Sequence, residues 1–321
     1  MGFAWWMRAL AICAIVGLVW MVETLAPSGP PGLEELLSLH VPADVDGIGG
    51  LDLARLRDSE FGEQLITRIR SAEDSLDVPV ALADAIPVES LHAAVFAAWA
   101  SPGDSPEGFV VLSGSFDARG VLSALKDLHG VDAVESSVQG LDCVGHRTEN
   151  HVAAVVSENI LYLGSQARLE TVNSVRMHRA PSAWRGSRRR IIRESVGRGA
   201  VLWGVGSVAE GISLGSGASS EENELFRLVR EAGVSVRLGA SASLRIWAVP
   251  DSAQSAGRMV SWLKRTRAIF ALIAGKLDES GRLKSVLDKL KVEDTGDAVT
   301  LTVDVSSTEL QGWVESGSDM P

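Results

Sequence analysis

A long uninterrupted apolar segment is the first feature of the hydrophobic pattern. Phe3–Val22 contains one charged residue, Arg8, and Glu23 follows the segment at once. A bilayer core about 30 Å thick needs roughly 20 helical residues, so the segment predicts a transmembrane helix. Because the cation lies near the N-terminal end, the positive-inside rule places the N-terminus in the cytoplasm and the chain after Glu23 outside it. We therefore expect the chain to contact a lipid bilayer through Phe3–Val22.

A cleaved signal peptide is the alternative interpretation of this segment, and it predicts a secreted or periplasmic protein. Ala26 is small enough for the cleavage position, but Pro27 would follow the cut directly. Tryptophan near both ends suits the interfaces of a membrane-spanning helix, and the residues concerned are Trp5, Trp6 and Trp20. The pattern favours an uncleaved anchor over residues 1–25, followed by a linker over 26–44, in which 26–32 is proline-rich and 33–39 has the pattern of one or two helical turns.

The remaining pattern predicts an α+β unit over residues 45–178. A glycine-rich strand ends near Leu51, and Asp52 is a suitable N-cap for a helix from Leu53. Turn residues separate two strand-like segments as in a hairpin, and Asp117 precedes an amphipathic helix. Further strand-like segments, then a helix starting at Ser165, complete the unit; the strands are expected at 91–100, 109–116, 131–138, 141–148, 152–157 and 160–164.

A second unit is predicted over residues 200–315, followed by a tail over 316–321. Segment 234–249 alternates strictly, with valine, leucine, isoleucine and alanine on one face and serine and arginine on the other, so we expect one dry and one wet side. Residues 221–232 are predicted to form a helix before this strand pair. The order of elements resembles that of 45–178, which indicates a tandem duplication. The fold class is therefore α+β: a single N-terminal transmembrane helix and a duplicated, mainly antiparallel sheet domain with helices on one face.

Composition and charge exclude some functions. The 321 residues are 46% hydrophobic and 22% charged, which is typical of a globular protein, and the net charge is −11. No nucleic-acid partner is expected, because phosphate contacts require a surplus of Lys and Arg. Cys143 is the only cysteine outside Phe3–Val22, so no intrachain disulfide is expected there.

Catalytic patterns are weak. Ser123 and Lys126, and again Ser261 and Lys264, have the Ser-x-x-Lys spacing of penicillin-recognising enzymes, but the chain has no Lys-Thr-Gly to complete such a site. We predict no catalytic residue, and an enzyme is the less favoured interpretation.

Metal ligands are also sparse. Cys143, His146 and His151 form the only sequence cluster of soft ligands. Cys143 and His146 face opposite sides of a strand, whereas His146 and His151 share a face if residues 149–150 form a turn. A weak two-histidine surface site is conceivable, but ordinary exposed histidines and a buried thiol explain the pattern better. We predict no metal site and no cofactor.

Residues 179–199 form an arginine-rich connecting helix in an otherwise acidic chain. Helical spacing directs Trp184 and Ile192 toward a core and places arginines along a solvated stripe. The predicted anionic docking residues are Arg185, Arg188, Arg189, Arg190 and Arg193. Guanidinium groups bind carboxylates and phosphates through paired hydrogen bonds, so an anionic lipid, a glycolipid or an acidic envelope protein would suit them. The competing interpretation pairs these arginines with the chain's own acids.

Val41–Arg57, with its Pro-Ala-Asp segment, strand and Asp-capped helix, resembles a loose group of exported bacterial envelope proteins with repeated α+β units and a late Trp before a strand, here Trp203. The resemblance implies a protein of the bacterial envelope, and it brings no catalytic residues. The apolar segment Phe3–Val22 adds the expectation of an inner-membrane protein with its C-terminal domain outside the cytoplasm. The expected function is a non-catalytic binding or scaffold module of the envelope. The alternatives are an anionic lipid- or glycolipid-contacting domain and a hydrolase with an unrecognised site.

Overall fold

The computed structural model describes residues 32–59, 62, 86, 90–99, 107–148, 150–185, 189, 192–193, 199–207, 224–225, 227–277, 282–296, 298–306 and 308–309. The predicted anchor Phe3–Val22 and the tail 316–321 lie outside these residues. No helix in the described part is long and apolar enough to cross a bilayer. The chain divides into two compact units, with the boundary between Val201 and Leu202.

The first unit contains seven strands and four α-helices whose bounds the structure describes. The helices are α1 (Leu33–His40), α2 (Leu53–Arg57), α3 (Ala118–His129) and α4 (Gln166–Arg176). The strands are β1 (Gly47–Asp52), β2 (Leu91–Trp99), β3 (Glu107–Gly114), β4 (Ala133–Val138), β5 (Leu141–His146), β6 (His151–Ser157) and β7 (Ile160–Ser165). They form an antiparallel sheet in the order β1-β2-β3-β7-β6-β5-β4. The predicted hairpin and the four strand-like segments that follow it are confirmed.

Local sequence signals set the ends of these elements. The carboxylates of Asp52 and Asp117 accept backbone hydrogen bonds at the starts of α2 and α3, and the Ser165 hydroxyl does the same for α4. Gln139 and Gly140 both have positive φ, 51° and 82°, as a two-residue hairpin turn requires. The predicted caps and this turn are therefore confirmed.

Helices lie on both faces of the first sheet, so the prediction of helices on one face is wrong for this unit. The register puts Trp99 and His146 on opposite faces. Arg168 of α4 stacks on Trp99, and His129 of α3 contacts His146. The reason lies in the central strands, where the consecutive residues 109–112 of β3 and 160–162 of β7 are buried. Because successive side chains point to opposite faces of the sheet, both faces are apolar there and both have to be covered by helices.

The second unit contains five strands and two α-helices whose bounds the structure describes. They are β8 (Leu202–Ser207), β9 (Val229–Leu238), β10 (Ser241–Pro250), α5 (Ala253–Leu277), α6 (Arg282–Lys289), β11 (Lys291–Asp294) and β12 (Val299–Ser306). The strand order is β8-β9-β10-β12-β11, again antiparallel. β9 begins inside a segment, 221–232, for which the helical pattern predicted a helix throughout, so that helix is wrong from Val229 onward.

The prediction of which face is buried and which is exposed to solvent is wrong for the second sheet. Ser235 and Ser243 are buried, whereas Leu244 and Ile246 on the opposite face are 38% and 42% exposed. The serines share their face with two buried tryptophans, Trp203 and Trp247. These large rings bring the small polar side chains beside them out of solvent. On the apolar face, α5 packs over one end only, through Ala256 and Met259 against Ala232, Ala248 and Val299.

The two sheets share one topology. In each unit three strands follow one another across the sheet, a helix comes next, and the last strand returns beside the third. The first unit adds two strands, β4 and β5, beyond this shared pattern. The tandem duplication stays a prediction.

Candidate functional site

The structure describes three of the five predicted docking residues. Arg185 ends a short 3₁₀ turn, Ala183–Arg185, and Arg189 and Arg193 are in helical conformation. All three side chains are exposed. Arg188 and Arg190 lie outside the described residues. We call Arg185, Arg189 and Arg193 the arginine surface.

The backbone on which the arginine surface lies is anchored to the first unit. Ala183 donates a backbone hydrogen bond to the Val41 carbonyl at 2.7 Å, and Ala43 donates one to the Pro181 carbonyl at 3.0 Å. Ile192 is fully buried. Ile192 thus faces the core as predicted, whereas Trp184 is only half-buried. The predicted connecting helix is wrong over 179–185, where Ser182 pairs with Pro42 as an isolated β-bridge and a 3₁₀ turn follows.

Aromatic stacking orients one guanidinium of the arginine surface. The Cζ atom of Arg193 lies 5.0 Å from the ring centre of Trp184, within the range of a cation–π contact. No carboxylate in the described part of the chain forms an ion pair with Arg185, Arg189 or Arg193.

A second candidate site is an open cleft between α3 and the β4–β5 edge. Its volume is about 510 Å³ and its lining carries both signs of charge. The lining residues are Arg119, Leu122, Ser123, Lys126, Glu135, Ser136, Asp142, Cys143 and Val144. Ser123 and Lys126, which share the Ser-x-x-Lys spacing, thus line one cleft.

The chemistry of this cleft does not suit a serine nucleophile. Lys126 forms an ion pair with Glu135, and this hydrogen-bonded partner raises the pKa of the lysine, so the amine stays protonated and cannot take a proton from Ser123. The second pair fails for another reason, since the Ser261 hydroxyl donates to the Gly257 carbonyl of its own helix at 2.8 Å. Neither Ser-x-x-Lys pair has the arrangement of a nucleophile and its base.

Cys143 is a buried thiol at the edge of the same cleft. It is 2% exposed, and its Sγ donates to the Leu141 carbonyl at 3.2 Å. Burial raises the pKa of the thiol, which disfavours the reactive thiolate. The prediction of a buried small thiol is confirmed.

Two histidines from different elements of the first unit, His129 of α3 and His146 of β5, contact each other, which the sequence did not indicate. The ring centres of His129 and His146 are 5.2 Å apart, with an angle of 64° between the ring planes. The predicted pairing was between His146 and His151, which share a face of the β5–β6 hairpin. His129 was missed because it lies at the end of α3, and only the turn after α3 brings it to the sheet. The described residues contain no group of three or more His, Cys, Asp or Glu placed to hold a metal ion.

Two further buried groups serve packing. The Tyr162 hydroxyl donates to the Ser165 carbonyl at 2.8 Å, and burial raises the pKa of this phenol. His40 of α1 is 2% exposed, and burial together with the positive charge of Arg176 lowers its pKa to about 4. Both side chains therefore stay neutral over the physiological pH range.

Comparisons with known proteins give a fold likeness alone. No family model matches the chain, and no curated protein matches it. Among solved structures it is similar to crystal form I of TP0453, with a TM-score of 0.48 and 11% identity over 87% of this chain and 96% of that one. Crystal form III of TP0453 gives a TM-score of 0.44 and 10% identity over 87% of this chain and 97% of that one. At these values the likeness assigns no catalytic or binding residue.

Proposed function

We propose that the chain is a non-catalytic binding module of the bacterial envelope, tethered to the inner membrane by Phe3–Val22 and docking through its arginine surface. Two observations together support this proposal. The side chains of Arg185, Arg189 and Arg193 face solvent without a described acidic partner. The backbone just before them is hydrogen-bonded to the first unit. The chain as a whole has a net charge of −11, so a positively charged surface reverses the sign of the charge locally and favours an anionic partner.

Anionic lipid headgroups are the second candidate, and α5 of the second unit favours them over an acidic protein. The sequence of α5 contains five basic residues and no acidic one. Ile269 and Phe270 on this helix are 53% and 45% exposed. Basic amphipathic helices with exposed apolar side chains are typical of membrane surfaces. A hydrolase is not supported by the cleft beside α3, because Lys126 is held protonated and Cys143 is held as a thiol.

Photocrosslinking of the full-length chain in native membranes tests the binding surface. A benzoylphenylalanine in place of Trp184 lies within reach of the arginine surface, and a second one in place of Phe270 reports on α5. We expect capture at position 184 to fall as salt is raised, because screening weakens exposed charge contacts. Phospholipid in the crosslinked product supports the lipid candidate, and a single acidic protein supports the protein candidate.

The triple variant Arg185→Ser, Arg189→Ser, Arg193→Ser is the decisive comparison. Each arginine near an anionic surface contributes about 1 kcal/mol, so their loss should weaken docking roughly 100-fold. The matched control removes the same charge elsewhere, at Arg119, Arg147 and Arg227. Equal capture by both triple variants, or capture that does not respond to salt, would overturn the arginine surface as the binding site.

A further inference from the structure

The contact between His129 and His146 is fixed by backbone structure. α3 ends at His129, Gly130 follows with φ +55°, and β4 begins at Ala133, the register partner of His146. The Arg147 amide donates to the Asp132 carbonyl at 2.9 Å, which ties the turn after α3 to the end of β5. The two rings are thus held together by a sheet register and a closed turn.

The hydrogen bonds of the two rings decide which nitrogens a metal ion could bind. The Thr148 amide donates to the Nδ1 atom of His146 at 3.4 Å, and the Thr148 hydroxyl oxygen lies 3.0 Å from the same atom. A metal ion binds Nε2 only in the tautomer that carries the proton on Nδ1, so binding exchanges the long amide contact for a hydrogen bond from Nδ1–H to the Thr148 hydroxyl. No described residue forms a hydrogen bond or ion pair with the His129 ring beyond its contact with His146.

The separation of the rings fits a shared ion. A metal–nitrogen bond of about 2.0–2.1 Å puts the centre of each imidazole roughly 3.2 Å from the ion, and tetrahedral geometry then puts the two centres roughly 5 Å apart. The observed separation is 5.2 Å. An edge-on pair of metal-free rings has a similar spacing, about 4.5–7 Å, so binding itself has to be measured.

We propose that His129 and His146 form a two-histidine site for a borderline divalent ion such as Zn²⁺. Imidazole nitrogen suits Zn²⁺, Cu²⁺ and Ni²⁺, whereas Mg²⁺ and Ca²⁺ prefer oxygen ligands. Because the described part of the chain offers no third His, Cys, Asp or Glu in place, water fills the other positions and the ion exchanges readily. Both imidazoles are half-buried, so the ion reaches them from the surface.

Calorimetric titration of the full-length chain with Zn²⁺, together with the optical spectrum of the Co²⁺ form, tests the site. We expect His129→Ala and His146→Ala each to lower affinity at least about tenfold. The double variant should lose little more than either single one, because the ion needs both ligands at once. The Co²⁺ spectrum should lack a thiolate band, since Cys143 is not a ligand, and affinity should fall as the pH is lowered.

His178→Asn is the matched control, because His178 is exposed elsewhere in the unit with φ 56°, a conformation that Asn tolerates. It should leave Zn²⁺ affinity unchanged. Circular dichroism at each titration temperature confirms that the variants stay folded. The proposal is overturned if both alanine variants bind Zn²⁺ as the wild type does, if their losses simply add, or if His178→Asn loses as much as they do.

Discussion

Replacing Trp203 with alanine should lower the free energy of unfolding of the second unit by about 3–5 kcal/mol. The indole is fully buried in β8, beside the buried Ser235 of the neighbouring strand. Neighbouring side chains cannot fill a cavity of that size, because Trp247 on the same face is itself tightly packed. Its ring covers Gly233 and lies 2.2 Å from the position that a Cβ atom on Gly233 would take. Urea unfolding followed by far-ultraviolet circular dichroism measures the loss.

Trp203→Phe is the informative companion to this variant. The indole nitrogen of Trp203 has no hydrogen-bond partner among the described residues. Replacing the indole with a benzene ring therefore removes some packing contacts but no hydrogen bond. We expect a loss well below that of the alanine variant. If phenylalanine costs as much as alanine, the contribution of Trp203 comes from its N–H and the packing account is wrong.

Lowering the pH from 6.5 to 4 should destabilise the first unit by about 3 kcal/mol through His40 alone. Burial and Arg176 lower the pKa of His40 to about 4, so the unfolded chain binds a proton in this range while the folded chain does not. The stability is therefore complete above pH 6.5 and is lost progressively as the pH falls toward 4. Chemical unfolding at a series of pH values measures this slope.

His40→Leu should flatten the slope, because an apolar side chain of similar size fills the buried site without binding a proton. A smaller slope remains from His92, whose pKa is lowered by burial and by Arg57. His178→Asn is the control and should leave the slope unchanged, since His178 is exposed. An unchanged slope in His40→Leu would contradict the assignment.

Much of the local structure could be predicted because its causes are local. Asp52, Asp117 and Ser165 cap helices through their own side chains, and Gln139-Gly140 forms the turn that its residue types favour. The alternation in 234–249 gave the correct strand pair for the same reason. The helix predicted through Val229–Ala232 failed because the pairing of β9 with β8 and β10 outweighs local helical spacing.

Which face of a sheet is buried could not be predicted, since it depends on residues from other strands. The serines of β9 and β10 predict a wet face, but Trp203 arrives on that face from β8 and Trp247 fills the space over Gly233. The contact between His129 and His146 could not be predicted for the same reason, because it depends on residues that lie 17 positions apart and on the turn between them. Helical spacing also predicts the exposure of Arg185, Arg189 and Arg193, and all three are exposed, although Arg185 lies in a 3₁₀ turn and not in the predicted helix.

The placement of the exterior domain is the central claim, because the binding proposal requires the arginine surface to face the envelope. The most direct measurement is a pair of reporter fusions behind Pro321 of the full-length chain, one active only outside the cytoplasm and one active only inside it. The account predicts activity of the exterior reporter, retained in the membrane fraction. Activity of the cytoplasmic reporter alone would contradict it.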